Sequence, residues 1–168
     1  DEAKLEAVSS EIDKNANNLS HLLDNLLQWS LDQLHGYEQK PEVMEVKTVI
    51  DELLDTFQPL IEAKRLEMKV DVDPTHRVRA DRGSLYVILR NLMANAIKFT
   101  ERGSVRLSVQ CDRIGASRAR VILTVSDSGI GIEQDKLPRL FDAFTQVDTS
   151  TSRRFGGTGL GLAIVARL

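Results

Sequence analysis

Apolar residues recur in alternating steps of three and four near the start of the chain. Leu5, Val8, Ile12, Leu19, Leu22, Leu26 and Trp29 share one seam, which the polar Asn15 and Gln33 complete. This heptad spacing predicts a long helix over Leu5–Gln33 that packs against other helices. Leu23, Leu27, Leu31 and Leu34 widen the stripe in the second half, as a bundle requires. Asn15 is placed to fix register, and Gly36 followed by Pro41 supplies a stop signal. Such a stripe cannot bury itself, so self-association is expected, with packing onto the following domain as the alternative.

After Pro41 the pattern changes to mixed α and β. Glu42–Val46 reads as a short strand, and Lys47–Ala63 as a helix despite Pro59. Glu67–Asp73 alternates apolar and polar residues, and Arg77–Ala80 predicts another brief strand. Arg82–Thr100 predicts a strong helix. Ser104–Cys111 and Arg120–Asp127 predict two strands around a Gly/Ser/Arg turn. From Gly131 to Gly157 periodicity is poor, apart from an apolar piece at Leu137–Phe144. A loop that long is kept mainly for function. A last helix opens after the final glycines and is expected to be still running at Leu168.

Composition narrows the class. The 168 residues allow one domain plus an appendage. With 22 basic and 25 acidic residues, the net charge of −3 gives no reason to expect nucleic acid or an anionic membrane as partner. No signal peptide opens the chain, and no apolar run approaches the ~18 residues of a membrane span. Cys111 stands alone, which excludes an internal disulfide and a multi-cysteine zinc site. It reads as a small buried strand residue, and a reducing, cytoplasmic setting fits. His35 and His76 read as surface residues.

Three stretches carry candidate chemistry. "RRFGGTGLGL", Arg153–Leu162, places four glycines in six positions ahead of an apolar helix, which suits a phosphate cradle. It is not a Walker loop, since Leu162 rather than Lys follows Gly161. It is not a dinucleotide fingerprint either, since Ile164 stands where a third glycine belongs. In the helix from Arg82, Leu85, Leu89, Leu92, Met93 and Ala96 form an apolar stripe, with Ser84, Asn91, Asn95 and Lys98 nearly opposite on a polar outer face. Asn costs roughly half a kcal/mol against Ala in a helix interior. Two of them one turn apart, with Lys one turn on, suit a phosphate-bound Mg²⁺; an ordinary solvated face is the alternative. Asp127, with Gly129 and Gly131 after it, closes a strand as either a tight turn or a ligand loop.

Taken in order, "NLMANAIKFT", "DSGIGI", "LFDAF" and "GGTGLGL" closely resemble the N box, first glycine box, F box and second glycine box of bacterial sensor histidine kinases. The resemblance covers roughly Pro41 to the C-terminus. The heptad helix resembles the second helix of that family's dimerisation and histidine-phosphotransfer domain. The resemblance therefore implies a division at 1–40 and 41–168. The first part would be that helix without the helix bearing the acceptor histidine. The second would be a catalytic ATP-binding domain whose fold continues beyond Leu168. The implied fold class is α+β, a two-layer α/β sandwich: a mixed β-sheet covered by helices, with an ATP lid.

The implied roles follow motif by motif. Asp127 accepts a hydrogen bond from the adenine amino group, and Gly129 and Gly131 let the backbone approach the base. Asn95 coordinates Mg²⁺, Asn91 supports the phosphate and metal shell, and Lys98 contacts phosphate. Phe141 and Phe144 pack the lid, although core packing explains them equally well. Gly157, Thr158, Gly159, Leu160 and Gly161 wrap the triphosphate. Arg153 or Arg154 reaches the γ-phosphate, or both are solvated loop residues. ATP-hydrolysing relatives of the gyrase and chaperone type carry a general-base Glu one turn before the metal-binding Asn. Asn91 occupies that position here and cannot take a proton, which favours phosphoryl transfer over hydrolysis.

His21 follows a Ser but lacks the acid and the Leu-Arg-x-Pro run of an acceptor site. The implied partners are ATP, a histidine-bearing bundle, a response-regulator receiver domain and a second copy through the N-terminal helix. The parent would be an inner-membrane sensor with this segment in the cytoplasm. Two other readings stand beside this one. One is a nucleotide- or partner-binding module without catalysis, against which the intact glycine boxes speak. The other is an anti-sigma-type serine kinase or ATPase, against which the heptad helix and Asn91 speak.

Overall fold

A computed structural model describes residues 39–115, 119–145 and 159–168, together with Val8. The chain divides into two units, Asp1–Glu38 and Gln39–Leu168. Apart from Val8, the heptad helix expected over Leu5–Gln33 lies outside the described residues, as do His21 and His35.

The second unit runs β1 (Pro41–Glu45), α1 (Val46–Lys64), β2 (Glu67–Asp71), β3 (Arg77–Asp81), α2 (Arg82–Phe99), β4 (Ser104–Arg113) and β5 (Ala119–Asp127). A 3₁₀ turn (Leu137–Arg139) and α3 (Gly161–Val165) follow. Pro59 sits inside α1 without ending it. It and Asp55, whose carbonyl loses its helix donor to the proline, are both on the exposed face. Asp81 caps α2: its Oδ1 accepts from Ser84 N–H at 2.7 Å and its Oδ2 from Lys40 N–H at 2.9 Å. One carboxylate thus starts the helix and ties down the chain just before β1.

The strands form two sheets. β1 and β3 pair antiparallel, from Pro41 opposite Asp81 to Glu45 opposite Arg77. In the other sheet β4 is central, parallel to β2 and antiparallel to β5, so the sheet is mixed. Alternate β4 residues Val105, Leu107 and Val109 point into the core, opposite Asp127, Val125 and Leu123 of β5. Against them pack Val46, Val49, Ile50 and Leu53 of α1 and Leu85, Leu89, Met93 and Ile97 of α2. The result is an α+β sandwich of helices on a mixed sheet. Cys111 continues the inward row of β4, partly buried, and burial pushes its thiol up.

Four expectations need correction. The polar face of α2 is not uniformly outer, because Ser84 and Asn91 are both buried. Leu160, Ala163 and Ile164 pack a third helix into this region, which periodicity within α2 alone could not foresee. On the apolar side Ile97 is fully buried, whereas Leu92 is only partly so. His76 is partly buried, with its Nδ1 withdrawn from solvent. Its carbonyl accepts from Val46 N–H at 3.3 Å, which holds the residue against the β1–α1 junction. Finally, α3 ends at Val165 instead of running through Leu168.

Leu89 is completely enclosed between α1 and the sheet. Leu89→Ala should destabilise the chain by about 2–5 kcal/mol, read as a lower denaturation midpoint in urea.

Candidate functional site

The site is organised by α2. Asn91 Nδ2 donates to the Val87 carbonyl one turn back at 2.9 Å, which leaves Oδ1 as the outward acceptor. That oxygen faces Gly161 so closely that a Cβ there would lie 2.6 Å from it. A side chain at the first residue of α3 is therefore excluded by the amide of α2. Asn95 follows one turn on, partly buried. Lys98 is partly buried too, its ammonium 4.8 Å from the centre of the Phe99 ring. Burial holds that ammonium below the usual lysine range. Two amides and a poorly hydrated cation thus occupy one side of the helix, a set suited to anionic oxygens and a hard cation. Among the described residues no three His, Cys, Asp or Glu side chains gather to hold a metal.

The end of α2 meets the loop after β5. Ile130 N–H donates to the Phe99 carbonyl at 3.4 Å. Gly129 presses on the same oxygen, and a Cβ at that position would collide with it. Asp127 ends the row of β5 residues whose other members, Val125 and Leu123, pack on the core, so its carboxylate leaves the sheet on the helix side. The side chain is exposed, and its Oδ1 accepts from Gly129 N–H at 2.9 Å. Turn chemistry is thus present at one oxygen, and it orients the carboxylate. Ser128 anchors the loop, since its N–H donates to the Ser104 carbonyl at 3.1 Å and its hydroxyl accepts from Ser104 N–H at 2.9 Å. Gly131 adopts φ +69°, yet a Cβ there would meet nothing within 4 Å, so backbone direction rather than close contact sets that position.

A third junction joins the remaining motifs. Phe144 N–H donates to the Gly159 carbonyl at 3.0 Å, and Phe144 itself adopts φ +64°. A Cβ on Gly159 would lie 2.8 Å from the Thr145 carbonyl oxygen. Leu160, next in sequence, is fully buried. Phe141 and Phe144 expose their rings, as Ile130 and Ile132 expose their side chains. Arg153, Arg154, Gly157 and Thr158 lie outside the described residues. Sequence reasoning passed over Ile130 and Ile132, although apolar residues between glycines were a visible signal. It also passed over Lys64, which reaches the end of α2 from a distant helix and has no local signature.

The profile of the family described as "Histidine kinase-, DNA gyrase B-, and HSP90-like ATPase" matches residues 80–168, more than half of the chain. The chain belongs to this family. It is 32% identical over 174 residues to the autoinducer 2 sensor kinase/phosphatase LuxQ of Vibrio parahaemolyticus, a match that covers 100% of this chain and 20% of LuxQ. It is 33% identical over 159 residues to the signal transduction histidine-protein kinase BarA of Escherichia coli K12, covering 94% of this chain and 17% of BarA. The chain thus spans about a fifth of these relatives. Among solved structures, full-length ShkA in complex with AMPPNP matches with a TM-score of 0.75 and 30% identity, over 92% of this chain and 31% of that one. This histidine kinase-like ATPase is the catalytic, ATP-binding domain type that sensor kinases carry. No helix among the described residues is long and apolar enough to cross a membrane.

The two loop glycines should differ in their response to a methyl group. Gly131→Ala should cost about 1 kcal/mol, the ordinary penalty of left-handed backbone. Gly129→Ala should cost more, up to about 3 kcal/mol, because the carbonyl in its way belongs to helix backbone. Chemical denaturation of the two variants tests that order.

Proposed function

We propose that this chain binds ATP with Mg²⁺ and transfers the γ-phosphoryl group to a histidine on a helical bundle, for relay to a response-regulator aspartate. The observation that carries the reading is the meeting of three motifs on α2: the Phe99 carbonyl seats the first glycine loop, and the Asn91 amide seats the start of α3. In this reading residues 41–168 are the catalytic domain and residues 1–40 a dimerising helix. The segment works in the cytoplasm as part of a homodimeric inner-membrane sensor.

Asp127 accepts a hydrogen bond from the adenine amino group through the oxygen that Gly129 does not engage. A charged acceptor is worth about 1.5–3 kcal/mol, and guanine offers a carbonyl there instead. Asn95 and Asn91 direct amide oxygens at the phosphates, and Asn95 would ligate Mg²⁺. These neutral amide oxygens would hold the ion together with the phosphate oxygens. Once bound, it neutralises charge on the phosphate oxygens. Lys98 adds a partly buried cation toward the phosphate oxygens. Gly157, Thr158, Gly159, Leu160 and Gly161 wrap the phosphates, with Arg153 toward the γ-phosphate and Phe141 and Phe144 packing the lid. The acceptor imidazole nitrogen attacks phosphorus, the bond to the bridging β–γ oxygen breaks, and ADP leaves with that electron pair. Asn91 cannot deprotonate water, so hydrolysis does not compete through a general base at that position.

Three measurements test this. Supplied with a histidine-bearing bundle and γ-labelled ATP, the chain should place an acid-labile, base-stable label on the bundle; no label, or a label stable to acid, overturns the transfer. Asp127→Asn should weaken ATP about tenfold or more while leaving GTP nearly unchanged, by calorimetry. The third concerns pH. Lys98 binds phosphate only while protonated, and its lowered pKa means that the charge is lost at a lower pH than for an ordinary lysine. ATP affinity should therefore decline as pH rises into the alkaline range, and Lys98→Met should remove that decline.

A further inference from the structure

Every main-chain carbonyl from Ala96 to Thr100, at the end of α2, has a partner. That of Ala96 accepts from the Thr100 N–H at 3.1 Å and from its hydroxyl at 2.7 Å. Those of Ile97, Lys98 and Thr100 all accept from Lys64 Nζ, at 2.6, 3.0 and 3.1 Å. The remaining one, Phe99, receives Ile130 N–H and presses on Gly129. Carbonyls at a helix end lack intrahelical donors and normally turn to water. Here a single ammonium spends all three of its N–H bonds on them. Burial lowers the Lys64 pKa, and the nearby Glu101 and the negative end of the helix dipole act against that loss. Lys64 arrives from the last turn of α1, where Arg65 in left-handed backbone (φ +54°) and a Leu66 N–H to Ile61 carbonyl bond of 3.0 Å reverse the chain. The lysine stem is therefore rooted in a closed turn.

We propose that Lys64 is a positioning residue for nucleotide selection. By gripping the Ile97, Lys98 and Thr100 carbonyls at the end of α2, it aims a fourth, that of Phe99, at Gly129 and Ile130, and through that loop sets the Asp127 carboxylate against the base. This inference rests on the ATP-binding reading above. Without the ammonium the three carbonyls diverge toward water, the last turn rotates, and the seat of the loop moves. Lys64 touches no substrate in this account; its effect passes through Asp127.

The test uses the 168-residue chain, with Mg-ATP and Mg-GTP titrated by calorimetry. Lys64→Met should weaken ATP about tenfold and reduce the preference for ATP over GTP. In an Asp127→Asn background the same change should add little, because both variants interrupt one chain of contacts. Leu53→Ala, a buried change in α1, serves as the control: it lowers stability but should leave the nucleotide preference of the folded protein intact. If Lys64→Met does not fold, Lys64→Gln keeps two donors and should show a partial loss of preference. Equal losses for ATP and GTP, or additive effects with Asp127→Asn, overturn the proposal. Hydrogen exchange at the Ile130 amide, measured without nucleotide, separates the possible failures. Faster exchange in Lys64→Gln supports the link, and unchanged exchange refutes it. A wild-type chain without ATP preference sinks the functional reading, whatever the amide reports.

Discussion

Backbone approaches α2 at two points where there is no room for a Cβ, and the arrangement of the site follows from that restriction. At Gly129 the obstacle is the Phe99 carbonyl oxygen; at Gly161 it is the Asn91 amide oxygen. Both are polar atoms with fixed directions, so each contact sets orientation as well as distance. Interiors pack at crystal-like density and yield little to an added methyl group. Two glycines far apart in sequence thus act as paired seats on one helix.

The helix can serve as a platform because its other side is immobilised. Leu85, Leu89, Met93 and Ile97 lock it between α1 and the sheet, and Asp81 fixes its start. Its end is held from two directions, by Lys64 and by Ile130. A platform secured at its flank and at both termini transmits any displacement of one end to whatever sits upon it. That is the physical content of calling a site preorganised.

Phe144 and Gly159 extend the same logic. Their hydrogen bond joins the F box to the second glycine box, and the buried Leu160 anchors the second of these beside α2. The exposed rings of Phe141 and Phe144 contrast with that anchorage. Burial therefore fixes Leu160, while the rings of Phe141 and Phe144 lie at the surface. The phosphoryl-transfer role proposed above needs both properties, since such a site must hold charge rigidly yet admit nucleotide and acceptor.

Much of this was legible in the sequence. Strand alternation located β4 and β5 within two residues, and the 3.6-residue period located α2, because both signals are local and follow from side-chain direction. The four ordered motifs carried the family resemblance, because each is a short contiguous run of residues. Three features were not local and stayed hidden. Asn91 and Ser84 read as an outer face until α3 and its neighbours covered that region. Gly129 and Gly131 looked alike in sequence, yet only the first is sterically required, because only it meets another element. Lys64 carries no motif at all; its three carbonyl partners lie 33 to 36 residues away. Periodicity and motif spacing determine which face of an element is apolar and which chemistry it bears. What that face meets depends on contacts between elements distant in the chain, and the tertiary structure alone decides those.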